Sequence, residues 1–462
     1  MSLSIETALV FFWRGEFAPT LIVKEKVRTE MIKPTPLSGF PEWLPGQQLA
    51  EQRVIDTIRQ VYELHGFSRL ETSAVERVSV LAAKGEINKE IYALGRLQGT
   101  PGRWEMALHF DLTVPLARYV AQNSGQLHFP FKRWQIQKVW RGERPQEGRF
   151  REFYQADIDV IGDGQLSLSF DAELPEIIDQ IFQRLGVRAQ ININNRKVLL
   201  GYYRSLGLDD AQSAAILREV DKLAKIGRQQ VSALLQAQGL EESTIAACLK
   251  LSELQGPPAQ VLAQARELQV SQELFQEGLK ELQFIASELA HIDSQRLIFN
   301  LGIVRGLDYY TGTIYETMLP DYPSLGSICS GGRYENLASE FINRQLPGVG
   351  ISIGLSRLLS HLFAQGALDC QRQTPTQVLV LWPQEDLRPA CREIARQLRQ
   401  RGIATEIYHQ PEALKKQIRY ADRKAIPWIL FPYLYSSADP QVEVKELASG
   451  QQHQCRLEEF QP

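Results

Sequence analysis

Two stretches of alternating side-chain character, Arg133 to Arg141 and Phe150 to Val160, constrain the fold of this chain more than any other feature. A short charged loop with glycine and proline separates them, which is typical of two antiparallel strands joined as a hairpin. A solvated sheet face is one explanation of the alternation. The mixture of side chains on one face of the second strand also suits a ligand with a cation and phosphates: Arg151, Phe153, Gln155, Asp157 and Asp159.

With 462 residues the chain is too long for a single hydrophobic core, and its pattern changes at several points. Strand patterns dominate residues 35–200 and 296–366, whereas residues 201–295 carry helical repeats rich in Leu, Ala, Gln, Glu and Lys. Residues 375–462 alternate strand and helix after a polar linker. The predicted fold class is therefore α+β, with a sheet in two parts, an inserted helical domain and a C-terminal α/β domain. Residues 1–34 are predicted to be an N-terminal extension.

The formal net charge of −3 gives the chain no overall attraction for nucleic acid. A nucleic-acid partner would therefore need a local basic face. A predicted helix near the C-terminus offers one, and a solvated helix surface is the alternative explanation of its charges. Its basic residues are Lys415, Lys416, Arg419, Arg423 and Lys424.

The five cysteines are scattered and never spaced CxxC, so neither a disulfide framework nor a zinc site is indicated. We therefore expect a reducing, cytoplasmic location. The longest apolar run near the N-terminus, Ala8 to Trp13, is followed directly by Arg14. Such a run is too short to span a membrane, and no membrane association is expected.

The segment from Leu301 to Glu316 concentrates charge, glycine and aromatic surface in a few residues. Arg305 and Asp308 precede the pair Tyr309 and Tyr310, in a pattern typical of a strand that runs into a tight turn. One interpretation is a buried strand edge at which the arginine and the aspartate form an ion pair. The other is a binding site for a charged, planar ligand.

Two further stretches carry candidate site residues. Period two in WEMALHFDLT predicts a strand with Asp111 and Thr113 on one face, although a carboxylate at a strand end is often solvated or caps a helix. A glycine-rich strand at residues 348–354 would let a flat ligand lie against the backbone, and Arg357 would project from the helix that follows. Tight packing of sheet and helix is the alternative explanation of these glycines.

Taken in order, these stretches resemble the motifs of the histidyl-tRNA synthetase family, which are class II aminoacyl-tRNA synthetases. The resemblance runs from about Met31 to the C-terminus. It rests on a helix and strand like motif 1, VWRGERPQEGRFREFYQADIDV like motif 2, the histidine-specific RGLDYYTG, GVGISIGLSRL like motif 3, and a C-terminal module. It implies an antiparallel class II sheet flanked by helices, a C-terminal anticodon-binding domain and a homodimer. The implied reaction is ATP-dependent ligation of L-histidine to its tRNA through a histidyl-adenylate.

The resemblance also implies roles for the residues that bind ATP. Arg141 and Arg357 would hold the phosphates, and Arg305 would contact the α-phosphate as a catalytic residue beside Arg141. Phe153 would lie against one face of the adenine while Arg357 covers the other. Glu143 matches a position that meets ATP, and Mg²⁺ would arrive with the ATP phosphates.

Further positions would bind the amino acid and the tRNA. By the same resemblance, Asp111, Gln155 and Asp159 receive the ammonium group of histidine. The imidazole would be enclosed by Tyr309, Tyr310 and Tyr334. Thr113 and Arg149 complete the substrate-binding set, with Arg149 in the loop that meets ATP or the acceptor end of tRNA.

The chain departs from the usual family pattern at a few positions. Ser73 stands where proline is usual in motif 1, His109 where arginine is common, and Ser356 where an acid often precedes the arginine of motif 3. The alternative to an enzyme is a non-catalytic relative, the histidine-sensing regulatory subunit of ATP phosphoribosyltransferase. That class normally lacks the C-terminal module and tends to lose the catalytic arginines, whereas this chain has both.

Overall fold

The computed structural model describes residues 33–82, 90–96, 104–146, 148–304, 310–336 and 338–462. Residues 38–462 belong to one compact unit, and residues 33–37 of the other unit carry no helix or strand. No helix in these described ranges is both long and apolar enough to cross a membrane.

The elements are named in chain order. The strands are β1 (Ser68–Arg69), β2 (Val75–Arg77), β3 (Ala93–Leu94), β4 (Met106–Leu108), β5 (Phe131–Trp140), β6 (Glu152–Ile161), β7 (Gln190–Asn195), β8 (Gln255–Gly256), β9 (Leu297–Asn300), β10 (Thr313–Met318), β11 (Cys329–Tyr334), β12 (Gly348–Ile353), β13 (Val378–Val380), β14 (Thr405–Ile407), β15 (Trp428–Phe431), β16 (Gln441–Glu446) and β17 (Gln452–Arg456). The helices are α1 (Pro45–Leu64), α2 (Val78–Leu81), α3 (Thr113–Asn123), α4 (Ser169–Leu185), α5 (Arg196–Ser205), α6 (Asp210–Val220), α7 (Leu223–Ala237), α8 (Glu242–Ser252), α9 (Pro258–Glu267), α10 (Glu273–Glu288), α11 (Leu355–Ala364), α12 (Arg388–Gln400) and α13 (Leu414–Arg423).

The central sheet has the order β1-β5-β6-β12-β11-β10-β7-β9-β8. Its strands pair antiparallel except for two parallel pairs, β1 with β5 and β7 with β9. The predicted hairpin is its longest pairing, and Phe131 of β5 lies opposite Ile161 of β6. The prediction of an α+β fold with an antiparallel-dominated sheet is confirmed.

Helices cover one face of this sheet. Because side chains alternate along a strand, every second residue of β6 points toward these helices. Ile158 and Val160 are fully buried there, in one cluster with Ile58 of α1 and Ile177 of α4. Burial of each such side chain stabilises the fold by about 1.5–3 kcal/mol. The opposite face of β6 carries the polar residues, and it is therefore available for a site.

Helix α1 illustrates how the sequence specifies an element. It begins at Pro45, whose missing N–H is no loss in the first turn, and it ends just before Gly66, which has φ +75°. Val54, Ile58 and Val61 recur at helical spacing and are almost wholly buried. The apolar stripe thus fixes which side of α1 packs on the sheet.

One predicted strand was wrong. The strand before Asp111 ends at Leu108, and Thr113 is the first residue of α3, so the two residues do not share a strand face.

Helix α4 begins at Ser169 and continues through Pro175. Proline removes the hydrogen bond to the carbonyl four residues earlier, here that of Asp171. The hydroxyl of Tyr315 donates to that carbonyl at 2.8 Å and so replaces the lost bond.

The C-terminal segment forms a second sheet with its own buried cluster, from Val378 to Phe460. The order is β14-β13-β15-β16-β17, parallel among the first three strands and antiparallel among the last three. The predicted alternation of strand and helix is therefore present, and β17 was not predicted. The remaining strands β2, β4 and β3 form a small separate sheet. The division of the chain into domains stays a prediction.

Candidate active site

A small cleft lies over the polar row of β6. Strand pairing places Asp159 opposite Arg133 of β5 and opposite Gly350 of β12, and it places Asp157 opposite Ser352. Residues two apart on a strand share a face, so these groups form one polar row. The cleft is lined by Thr113, Asp157, Asp159, Tyr310, Ser330, Tyr334, Gly350, Ile351 and Ser352. Four of these were predicted to bind the substrate: Thr113, Asp159, Tyr310 and Tyr334.

Asp159 is held in this cleft from two sides. Its Oδ1 accepts a hydrogen bond from the Tyr334 hydroxyl at 3.1 Å, and its Oδ2 lies 2.6 Å from Nη2 of Arg133. Burial raises the pKa of Asp159 to about 6, while the positive charge of Arg133 and the tyrosine hydrogen bond act in the opposite direction. The carboxylate is therefore anchored but incompletely compensated.

Asp157 is the least satisfied group in the cleft. It is 3% exposed, and its Oδ1 has no hydrogen-bond partner in the part of the chain that the structure describes. Burial raises its pKa to about 7, Arg133 opposes this, and Asp159 adds to it. Gln155 Nε2 donates to the Ser352 hydroxyl at 2.7 Å, and Ser352 lies directly opposite Asp157 on the neighbouring strand and lowers the pKa of its carboxyl. The predicted Gln155 thus contacts a neighbour of Asp157.

Glycines make room for the side chains of the site. A Cβ on Gly350 would lie 2.0 Å from Oδ1 of Asp159, and one on Gly348 would lie 2.3 Å from the Tyr334 ring. A Cβ on Gly332 would come within 2.7 Å of the Tyr310 ring. The glycine-rich strand was expected to leave space for a flat ligand. In the described residues, that space is occupied by the residues that line the cleft.

A second group of predicted residues lies together at the loop end of the hairpin. The guanidinium of Arg141 lies 5.2 Å from the centre of the Phe153 ring, and its Nε donates to the carbonyl of Phe110 at 3.0 Å. Glu143 approaches both arginines of this region, Arg141 at 4.0 Å and Arg149 at 3.7 Å. The loop charges are therefore partly paired with one another.

Arg357 projects from the first turn of α11 toward this loop. Its Nε donates to the carbonyl of Gly148 at 3.0 Å, and its Nη1 donates to the carbonyl of Ser327 at 2.7 Å. The preceding residue, Ser356, accepts a hydrogen bond from the backbone N–H of Tyr154 at 2.8 Å. Helix α11 is thus tied to β6, and its arginine is tied to the loop after β5.

Asp111 caps helix α3, which was one of the roles that the sequence allowed for it. Its Oδ1 accepts from the backbone N–H of Val114 at 3.0 Å, at the start of α3, and the residue is half-buried. It is near enough to raise the pKa of both Asp157 and Asp159. Asp111 therefore caps the helix, and its negative charge also acts on the two carboxyls of the cleft.

Some predictions fall elsewhere. Arg305 and Tyr309 lie outside the described residues. In α13, Lys416 pairs with Glu412, while Lys415, Arg419 and Arg423 are exposed.

Sequence reasoning missed Arg133, which is fully buried beside Asp159. A signal existed, because the hairpin pattern already placed Arg133 and Gln135 on alternate positions of the first strand. Ser352 was also missed, and its neighbouring glycines gave no cue to its contact with Gln155.

Comparison with known proteins covers nearly the whole chain. Residues 39–358 match the family histidyl-tRNA synthetase, and residues 377–461 match the family anticodon binding domain. A histidine-tRNA ligase of Thermobifida fusca is 51% identical over 427 residues, which are 91% of this chain and 97% of the relative. One of Bifidobacterium longum is 49% identical over 459 residues, which are 94% and 98% of the two chains.

A solved structure agrees with these sequence matches. The histidyl-tRNA synthetase of Nostoc sp. PCC 7120 superimposes with a TM-score of 0.84 at 39% identity, covering 92% of this chain and 97% of that one. The family match spans both parts of the central sheet and the segment between them. The chain therefore belongs to the histidyl-tRNA synthetase family.

Proposed function

We propose that this protein ligates L-histidine to its cognate tRNA at the expense of ATP, through a histidyl-adenylate. The observation that supports this most directly is the arrangement along one hairpin. An acidic, tyrosine-lined cleft around Asp159 lies on β6, and the Arg141 and Phe153 pair lies where the same strands meet their loop. One end suits a small cationic amino acid, and the other suits a nucleotide.

In the first step, a carboxylate oxygen of histidine attacks the α-phosphorus of ATP, and the bond to the leaving pyrophosphate breaks. Such a reaction needs alignment and charge stabilisation rather than a covalent nucleophile. We assign the phosphates to Arg141 and Arg357, and contact with the α-phosphate to Arg305. Loss of one such donor typically raises the barrier by on the order of 3 kcal/mol.

In the second step, a terminal ribose hydroxyl of tRNA attacks the activated carbonyl, and AMP leaves. We assign residues 375–462 to recognition of the anticodon, with the exposed basic face of α13 as a contact. Arg149 is assigned to the acceptor end. A homodimer in the cytoplasm is part of the same proposal.

Recognition of histidine is assigned to both ends of the cleft. Asp111, Gln155 and Asp159 would receive the ammonium group, and the burial and raised pKa of Asp159 support its part in this. Thr113 lines the same cleft. The imidazole would be enclosed by Tyr309, Tyr310 and Tyr334. Hydrogen bonds to both ring nitrogens would reject apolar amino acids, because the buried groups of the site would then be left unpaired.

The nucleotide is assigned to the arginine-rich end. Phe153 would contact one face of adenine, Arg357 the other, and Glu143 would meet the nucleotide or its metal ion. Mg²⁺ favours phosphate and water oxygens with one or two carboxylates. We therefore assign the ion to the phosphate oxygens of ATP.

The test is histidine-dependent exchange of pyrophosphate into ATP, with each amino acid supplied in turn, followed by charging of tRNA. We expect exchange with histidine alone. Arg305→Ala should abolish exchange while histidine binding persists. Absence of exchange with histidine would overturn the proposed synthetase function and favour a histidine-sensing regulatory subunit. The relatives at 51% and 49% identity do not favour that alternative.

A further inference from the structure

One guanidinium serves two carboxyl groups beneath the cleft. Arg133 is fully buried on β5, Asp159 lies directly opposite it, and Asp157 lies two residues away on the same face of β6. With both carboxyls ionised this buried group carries one excess negative charge, whereas one added proton makes it neutral. Excess charge in a dry site is unfavourable unless it is compensated. The empty cleft therefore favours a proton on one carboxyl.

The geometry distinguishes the two carboxyls. Asp159 has Arg133 at 2.6 Å and the hydroxyl of Tyr334 at 3.1 Å, and both contacts favour its ionised form. Asp157 has one oxygen without any partner among the described residues, and that residue lines the cleft. The proton is therefore best placed on Asp157.

We infer that Asp157 is a further positioning residue of the amino-acid site, which holds a proton while the cleft is empty and releases it to solvent when the ammonium group of histidine enters. The O–H bond of the carboxyl breaks, and the arriving positive charge compensates the carboxylate that remains. Arg133 is then shared by two anions, which leaves more negative charge on Asp159 for the substrate. Gln155 contacts Ser352, which lies opposite Asp157 on the neighbouring strand. This inference rests on the proposed binding of histidine.

Other ionisable groups surround Asp157 and set the pH range of the effect. They come from β5, from β6 itself, from β11, from the segment before α3, from helix α1 and from the segment before β10: Arg133, Asp159, Cys329, Asp111, Tyr62 and Tyr310. Burial raises the pKa of the cysteine and of both tyrosines, so these three stay neutral near pH 7. Burial also raises the pKa of Asp157 itself to about 7. Proton release should therefore occur at and below neutral pH.

Calorimetric titration of histidine into the full chain, without ATP, tests the inference. Titrations in buffers of different ionisation heat give the number of protons released at each pH between 6 and 9. When histidine binds, wild type should release more protons than Asp157→Asn. The difference should be up to about one proton per site near pH 6 to 7, and there should be no difference at pH 9. The imidazole of free histidine contributes equally to both proteins. Asp163→Asn removes a carboxylate from the surface and should behave as wild type.

The affinity gives a second readout. The Kd of wild type for histidine should weaken, relative to Asp157→Asn, by up to about tenfold per pH unit as the pH falls below 7. A purely structural role for Asp157 would weaken binding at every pH alike. Equal proton release from the two proteins between pH 6 and 8 would overturn the inference.

A third measurement needs only the wild-type protein. The infrared spectrum of protein with labelled aspartate should show a protonated carboxyl band at pH 6.5 that disappears when histidine is added. A band that persists in the complex would overturn the inference while the proposed function stands. A protein that does not bind histidine at all would overturn both.

Discussion

Arg133 is the largest of the fully buried side chains in the described part of the chain. A buried guanidinium costs several kcal/mol unless anions compensate it, and removal of one partner from a buried pair typically costs about 3–5 kcal/mol. Here Asp159 and Asp157 supply the compensation. The site therefore depends on a charge balance that lies beneath the residues expected to touch the substrate.

Gly350→Ala should disable histidine binding without unfolding the chain. The new methyl group would lie 2.0 Å from Oδ1 of Asp159, which Arg133 and Tyr334 hold in place. We expect the KM for histidine in pyrophosphate exchange to rise at least about tenfold, with a loss of about 1–3 kcal/mol in unfolding free energy from overpacking. In the control Gly354→Ala, the nearest atom is 3.5 Å away. An unchanged KM in Gly350→Ala would contradict this account of Asp159.

Asp157→Asn should change how stability depends on pH. The pKa of Asp157 is raised from 3.8 to about 7 on folding, so the protonated form is the one that folding favours. The contribution of this carboxyl to the free energy of unfolding is greatest below about pH 4 and declines as the pH rises to 7. The stability of Asp157→Asn relative to wild type should therefore increase across that range and then level off. With about 1.4 kcal/mol per pKa unit, the upper limit is about 4 kcal/mol.

Urea unfolding of both proteins between pH 5 and 8 measures this difference. Asp163→Asn provides the surface control, because its carboxylate pairs with Arg344 in solvent. If the difference between Asp157→Asn and wild type were the same at every pH, Asp157 would not change its protonation on folding in this range.

At the scale of elements, helix α11 packs on the sheet through buried leucines and is hydrogen-bonded to strand β6 through Ser356. The pairing of β6 with β12 ends at Ala156, and the next outward-facing N–H, that of Tyr154, donates to Ser356 Oγ. This contact fixes the first turn of α11, from which Arg357 reaches the carbonyl of Gly148. Serine thus takes a role at a position where an acid was expected.

Ser356→Ala should therefore weaken nucleotide binding more than histidine binding. The backbone N–H of Tyr154 loses its acceptor, which typically costs about 1–3 kcal/mol of stability. Arg357, which we assign to ATP, is the next residue and would lose its fixed position. The KM for ATP should therefore rise while the KM for histidine changes little. Ser360→Ala, one turn later on the same helix, is the control. A larger effect on histidine than on ATP would show that the serine does not act through Arg357.

The hairpin could be predicted from sequence because its information is local. Period two and a turn with glycine and proline indicate the hairpin and the face of Asp159. The register, which sets Arg133 opposite Asp159, comes from the structure. The continuation of α4 through Pro175 could not be predicted, because the hydroxyl that replaces the lost bond comes from Tyr315, far along the chain. Likewise, nothing local to Asp111 distinguishes a helix cap from a strand end. Contacts between distant segments decide such cases.

At the scale of the whole molecule, the two largest of the four buried clusters in the described residues belong to different parts of the chain. The larger cluster joins the central sheet to helices α5 to α10, so Phe299 of the sheet and Phe275 of α10 share one core. The smaller cluster belongs to the C-terminal sheet alone. The sequence predicts the polar linker between these clusters, but it does not predict that the helical segment shares its core with the sheet.

A fragment of residues 1–374 should retain activation of histidine and lose efficient charging of tRNA. It keeps the linker contacts with α1, in which Arg53 donates to the carbonyl of Asp369 and Gly46 packs beside Cys370. It also keeps every residue of the larger cluster, so pyrophosphate exchange should persist. Because about 1.4 kcal/mol of binding energy is a tenfold change in affinity, the loss of the proposed anticodon contacts should reduce charging by about tenfold or more.

The two assays run side by side on the fragment and on the full chain separate the possible outcomes. The KM for histidine in exchange serves as the control, since we assign histidine to the cleft over β6 and not to residues 375–462. Charging at the full rate would show that the C-terminal sheet makes no important contact with tRNA. A folded fragment without exchange would show that the C-terminal sheet supports the catalytic core, in spite of its separate buried cluster.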